Sequence, residues 1–328
     1  MPDIITNPQD LAETLKTAET MPAPGRVLMV TPDHFSVDYV INPHMEGHIG
    51  TVNRNKARWQ WEVVRDKFRH LGMTVHELEG QPGLPDMVFS ANQSLPCINN
   101  DGKKHALMSL MHSDQRKEEV PWFEQWYRQN GYKVHYLDSA DGFGTGGTGT
   151  GGPGTDGTGT DGTGTDGTGT GGTGFEGMGD AIWHFRKRLL WGGYGFRTSK
   201  ESYQAIARLF DVPVVLLELV NPAFYHLDTC LCVLNANTAL ICPKAFTQQG
   251  LELIHAGFSN VIEAPDAEAE RLFACNAVCP DGRTVIIQKG CREVNLQLKK
   301  NGFAFHEVDT SEFLKSGGSV FCMKLLLW

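Results

Sequence analysis

Apolar residues recur at helical spacing in five separate stretches, and each stretch ends on a stop residue followed by a β-rich run. In the first, Trp61, Val64, Phe68 and Leu71 precede Gly72. That spacing marks one face of a helix, and glycine suits the left-handed residue that closes it. The second has Pro121 where a first-turn proline belongs, then Phe123, Trp126 and Tyr127 before Asn130 and Gly131. The third reads as a helix opened by a capping box from Thr198 to Glu201, burying Tyr203, Ile206, Ala207 and Phe210 and stopping at Asp211. Leu251 and Ile254 precede Gly257 in the fourth, and Val294 and Leu298 precede Gly302 in the fifth. The runs after the stops are MTVHEL, YKVHYL, VPVVLLEL, FSNVIEA and FAFHEV. Hairpin-like pairs precede the helices, as in DAIWH-FRKR-LLWGG, TCLCVL-NAN-TALICP and NAVCP-DG-RTVIIQ.

One unit therefore repeats: a polar or Gly-rich turn, a strand, a tight turn, a second strand, a helix, a stop, a third strand. The openings after the five stops carry Asn92, Glu176, His226, Asn276 and Cys322. The last opening, SGGSVFCMKLLLW, runs out of chain, and its missing strand and helix are RVLMVTP and residues 57–71 near the N-terminus. Such closure predicts an α/β fold made as a ring of five units, with 1–25 as an N-terminal extension and 26–328 as one domain. Repeated units stack with equivalent positions facing one place, so the five opening residues are expected to converge.

Residues 144–174 interrupt the second interval and contain only Gly, Thr, one Pro and Asp156, Asp161 and Asp166. Lacking apolar residues to offset ordering entropy, the tract reads as a flexible surface insertion just before Phe175 and Glu176. It has neither the GK[ST] of a phosphate loop nor the apolar position per turn of a calcium β-roll.

Composition narrows the class. About 297 residues remain outside the tract, ample for one core. A net charge of −9 counts against nucleic acid and anionic membrane as partners. The start MPDIITNPQD has no charged-then-apolar signal pattern, and eight cysteines form no CxxC pair, so a cytoplasmic protein with reduced thiols is expected.

Singly, each opening residue has a plain role: Cys322 and His226 as core residues, Glu176, Asp180 and Asn92 as turn residues. Together, a thiol, an imidazole and a carboxylate to orient it are the parts of nucleophilic chemistry at carbon. Asp228 lies two residues from His226, on the same face if the segment is a strand. The resulting anionic cluster suits a cationic substrate.

Six segments carry a resemblance: FSAN at 89–92, FEGMGD at 175–180, GYGFRT at 193–198, FYHLDTC at 224–230, FACN at 273–276 and GGSVFC at 317–322. They resemble the guanidine-modifying penteins, which comprise arginine deiminase, dimethylarginine dimethylaminohydrolase, amidinotransferase and arginine dihydrolase. FSAN and TPDHFSVDYVINPHM resemble the last in particular. The resemblance implies a five-fold pseudosymmetric α/β propeller of ββαβ units. It implies Cys322 as the nucleophile on the guanidinium carbon, His226 as general acid and base, and Glu176 as the carboxylate orienting it. It also implies Asp228 and Asp180 as substrate-binding acids, Arg197 on the substrate α-carboxylate, a covalent S-alkylthiouronium, and no metal or organic cofactor. Deiminases carry an aspartate where this chain has Asn92, and the family often has a basic residue where it has Leu110.

The expected activity is hydrolysis of free L-arginine with release of ammonia, to ornithine and carbon dioxide first and to citrulline next. An amide at position 92 both donates and accepts, and so suits the neutral ureido group of citrulline for a second attack. Dimethylarginine hydrolysis and amidino transfer are the enzyme alternatives. A non-catalytic pentein binding protein is the alternative from another class, disfavoured by the retained Cys322, His226 and Glu176. The expected partner is a small-molecule guanidine, with a homo-oligomer left open.

Overall fold

The five stretches of helical spacing form the helices Arg54–His70, Val120–Gln129, Ser202–Phe210, Gln248–Gly257 and Arg292–Lys300. This is seen in a computed structural model that describes residues 4–137, 143–144 and 174–328. The tract expected as a flexible insertion lies outside the described residues, apart from its ends at 144 and 174. Gly72, Gly131 and Gly302 have φ of 80°, 77° and 80°, the left-handed conformation that ends a helix most easily at glycine. Gly257, the last residue of its helix, does not adopt that conformation; glycine is needed there because a side chain would collide with the Trp191 ring.

In every unit the strand before the helix runs parallel to the strand after it, the pairing that a helical crossover permits. Arg26–Val30 pairs with Thr74–Leu78, Lys104–Met108 with Lys133–Leu137, and Leu190–Tyr194 with Val214–Glu218. Thr238–Ile241 pairs with Asn260–Glu263, and Thr284–Gln288 with Ala304–Val308. An antiparallel neighbour joins each first strand. It is Ser94–Ile98, Ala181–Trp183 or Leu231–Val233 in three units, and in the fifth it shrinks to the single bridge Val278↔Ile286. In the remaining unit it is Leu325–Leu327, which pairs with Arg26–Val30 and so brings the two ends of the chain together. The result is a mixed α/β fold of five small sheets among the described residues.

Residues before Arg26 pack onto this framework. Ile4–Ile5 extends the edge at Val214, and Ile5, Leu11 and Met21 are buried in the common core. Among the described residues no helix is long and apolar enough to cross a membrane.

The expected capping box at Thr198 is not formed. The helix starts at Ser202, and its N-cap residue Glu201 makes no side-chain capping bond. The Thr198 hydroxyl is drawn away: it donates to Asp180 and accepts from the backbone N–H of Glu176.

Candidate active site

The five openings clasp one another through short bonds. The Ala91 amide donates to the Cys322 carbonyl, and the Phe321 amide donates to the Asn276 carbonyl. Asn276 Nδ2 donates to the Asp228 carbonyl, and the Leu227 amide donates to Asp180 Oδ1. The Glu176 carboxylate meets the His226 ring. Asn92, Glu176, His226, Asn276 and Cys322 are thus gathered in one place, all of them buried.

Two groups of residues make up the site. In one, His226 Nε2 lies 2.6 Å from Glu176 Oε2, and the other oxygen, Oε1, accepts from the His112 amide at 3.0 Å. The second ring nitrogen, Nδ1, lies 3.4 Å from Asn92 Nδ2. Arg116 donates to Asn92 Oδ1 at 2.9 Å. A guanidinium is donor-only, so the amide oxygen must face Arg116 and the NH2 must face His226. His226 therefore accepts from Asn92 through Nδ1 and donates to Glu176 through Nε2. Burial alone would raise the pKa of Glu176. The hydrogen bond from His226, with the charges of Arg197 and Arg116, outweighs it and holds the carboxyl down to about 2.

In the other group, Cys322 Sγ donates to Asp228 Oδ2 at 3.2 Å and accepts from Asn276 Nδ2 at 3.1 Å. Asn276 Oδ1 accepts from the amides of Ser319 and Cys322, which fixes the turn bearing the thiol. Burial pushes Asp228 up to about 7, against the thiol hydrogen bond and the charge of Lys324. Burial and the adjacent Asp228 likewise raise the thiol well above its usual value. The resting state is a neutral thiol donating to the carboxylate.

Cys322 sits in a turn ahead of Leu325–Leu327. One local expectation fails here. His226 caps a 3-10 turn, Leu227–Thr229, that contains Asp228. The period-2 argument for a shared face does not apply to that geometry: the turn sends Asp228 to the thiol and His226 to Glu176.

Cys322, His226, Asn92 and Arg197 line a common pocket with Asp86 and Tyr225. It encloses about 20 Å³, room for about one water. Ile41 and Asn42 form part of its lining, tied down by Arg197 to the Ile41 carbonyl and by Asn42 to the Ser316 carbonyl. Arg197 also donates to Ser113 Oγ and lies over the Tyr225 ring. Asp180 does not line the pocket: both its oxygens are taken, one by Leu227 N–H and one by Thr198. Leu110 is 37% exposed and pairs by backbone with Phe175.

Sequence reasoning missed several participants. Asp86 lines the pocket, its Oδ1 accepting from Ser316; Oδ2 is buried without a hydrogen bond among the described residues, with the Tyr39 hydroxyl as its neighbour. Arg116 is saturated by Asn92, Glu119 and the carbonyls of Asp86 and Phe89. Neither lies at the start of a repeat unit. The signal that could have found them is charge in an otherwise apolar or tight-turn context, as in LPDMVF for Asp86.

No known family model matches the chain. It is 33% identical over 304 residues to the bifunctional arginine dihydrolase/ornithine cyclodeaminase ArgZ of Synechocystis, covering 92% of this chain and 37% of that protein. The chain thus spans little more than a third of that relative. It is 33% identical to the N(G),N(G)-dimethylarginine dimethylaminohydrolase of Mycobacterium tuberculosis, covering 94% of this chain and 87% of that protein. Among solved structures, the N-terminal domain of ArgZ covalently bound to a reaction intermediate superposes with a TM-score of 0.77 at 32% identity, covering 92% of this chain and 97% of that one. A dimethylarginine dimethylaminohydrolase adduct superposes at 0.70 with 20% identity, a likeness of fold.

Proposed function

The chain belongs to the guanidine-modifying pentein family, with the arginine dihydrolases and dimethylarginine dimethylaminohydrolase, and on that premise we propose that it hydrolyses free L-arginine to ornithine, carbon dioxide and two ammonia. The observation that carries this reading is the Asn92 amide, locked by Arg116 so that its NH2 faces His226 in the pocket that Cys322 also lines. The five ββαβ units form a five-fold propeller around this site, a reading supported by the chain of hydrogen bonds that links their openings and by the meeting of the chain ends. One catalytic domain, 26–328, carries the chemistry, with 1–25 as an extension and 144–174 as an insertion. The eight free cysteines fit a cytoplasmic enzyme.

The guanidinium cation enters beside Asp228, whose Oδ1 is buried without a hydrogen bond among the described residues and so is open to an N–H of the substrate. Asp86 Oδ2, in the same condition, accepts the α-ammonium, and Arg197 turns from Ser113 to the α-carboxylate. Arrival of a cation next to the sulfur favours the thiolate, so substrate helps to make its own nucleophile. The thiol proton passes to His226 as Cys322 attacks the guanidinium carbon, His226 returns that proton to the departing ammonia, and a thiouronium is left on sulfur. His226 then takes a proton from water as the water adds to that carbon, and the C–S bond breaks to give citrulline.

A carboxylate at position 92 would favour the cation and lose its charge attraction once the neutral ureido group forms. The Asn92 amide has no such preference and retains citrulline for a second attack by Cys322. With a second water, that attack ends in ornithine, carbon dioxide and another ammonia. Incubation with arginine, with amino acids and ammonia quantified together, tests the reading. Ornithine with about two ammonia per arginine is expected from this two-step scheme; citrulline as the end product leaves a single-step deiminase.

A further inference from the structure

Lys324 follows the nucleophile by two residues, and its side chain is wholly buried. Among the described residues its Nζ has no hydrogen-bond partner. The ammonium rests instead on the face of Phe321, 2.9 Å from the ring centroid. An unpaired ammonium in an apolar interior is costly, and a leucine or methionine would serve packing better there. A complementary vacancy lies nearby. Asp228 Oδ1 is buried without a partner, while Oδ2 holds the Cys322 thiol. One carboxylate oxygen thus touches the sulfur, and an unpaired ammonium two residues along the chain feels the charges of both.

The titratable neighbours of Lys324 are Asp228 from the Leu227–Thr229 turn, Cys232 from the strand Leu231–Val233, and Cys322 from its own turn. Asp228 also feels Arg116, and Cys322 faces Tyr225. When the thiol loses its proton, two anions stand about 3 Å apart in a low-dielectric interior, an arrangement that needs a cation to persist.

We infer that Lys324 is the buried counter-cation of the nucleophile, offsetting the second negative charge that arises when Cys322 is deprotonated beside Asp228. It touches no substrate and acts through the thiol as a positioning residue. Burial pulls its ammonium down to about 7, while Asp228 and Cys322 push it up. The charge on nitrogen is therefore strongest when the sulfur is anionic, and loss of a proton by one is linked to its retention by the other.

The inference rests on Cys322 as nucleophile, yet its test needs no substrate, so its failure is separate from failure of arginine as substrate. Substrate-free wild-type protein and Lys324→Met are treated with iodoacetamide from about pH 6 to about pH 10, and the Cys322 peptide is quantified by mass spectrometry. Across this range Cys322 alkylation is expected to be about tenfold slower in Lys324→Met than in wild type, the deficit of a thiol whose titration lies about one pH unit higher. An unchanged labelling rate in a variant that melts cooperatively overturns the inference. Lys324→Gln, likewise uncharged, replaces Lys324→Met if the latter does not fold. Lys324→Arg retains the charge and is expected to keep the wild-type rate; a loss equal to that of the uncharged variants would assign the effect to packing and overturn the inference as well.

Discussion

The two halves of the site are built to opposite standards. On the acid–base side, every polar atom of Glu176, His226 and Asn92 side chains has a partner, and Arg116 is saturated behind them. On the nucleophile side, Asp228 Oδ1 and Lys324 Nζ are buried and without partners among the described residues, and the thiol is held in its neutral form. Unsatisfied buried groups cost stability, whereas a saturated network is rigid and specific. On the proposed reaction, the imidazole is preset before substrate arrives, while the nucleophile is completed by the cation it attacks. Activity should therefore respond differently to damage on each side.

The largest effect is expected at the nucleophile. Cys322→Ala should reduce ammonia release below about 1% of wild type, since loss of a nucleophile commonly costs several orders of magnitude. The variant should fold normally, because it deletes one buried sulfur whose hydrogen bonds are weak. Residual activity above that level in steady-state assays would remove Cys322 from its role.

On the acid–base side Glu176→Gln should lower kcat by about 100-fold, the low end for positioned proton transfer. It also has a stability signature with a defined sign. The folded carboxyl is held down to about 2, below the ordinary value of about 4.3. Its ionised form therefore stabilises the fold fully above about pH 4.3, and that contribution is lost as pH falls toward 2. The order of magnitude is about 3 kcal/mol. Wild-type protein should lose more stability than Glu176→Gln across that window, as read by denaturant melts at several pH values. Equal losses would show that Glu176 is not held in this way.

Gly179→Ala should disturb the preset side alone. A side chain at this glycine would run into the Asn92 amide, and the displacement should cost about 1–3 kcal/mol. A drop in kcat of about tenfold with unchanged iodoacetamide labelling of Cys322 would keep the two halves separate. Slower labelling would show that they are mechanically coupled. The smallest change in rate, but a change in outcome, is expected for Asn92→Asp. Its output should move toward citrulline, with ammonia per arginine falling from about two toward about one. A variant that still delivers ornithine quantitatively would assign Asn92 to shaping its turn.

Much of the fold was legible because its signals are local. Helix stops at Gly72, Gly131 and Gly302 follow from the left-handed conformation each must adopt. The pairing of Leu325–Leu327 with Arg26–Val30 could be read because the last unit visibly lacks what the N-terminus supplies. The convergence of the openings was likewise open to inference from their equivalent places in the repeat. What was not legible depends on partners distant in sequence. Thr198 has the spacing of a helix cap, yet its hydroxyl is captured by Asp180, a competition no local pattern encodes. Asp228 was placed by strand periodicity, but FYHLDTC turns within two residues. Asp86, Arg116 and Lys324 carry no repeat signal, and their importance rests on burial.

The account depends most on covalent capture of the guanidinium carbon by a thiol that substrate activates. Wild-type protein turning over arginine can be quenched in acid within milliseconds, digested, and searched for an arginine-derived mass on each cysteine peptide. The account predicts an adduct on the peptide containing Cys322 and on none of the other seven cysteines, at a level that rises with arginine until saturation. Steady release of ammonia with the Cys322 peptide unmodified at every quench time, or an adduct on another cysteine, would contradict it.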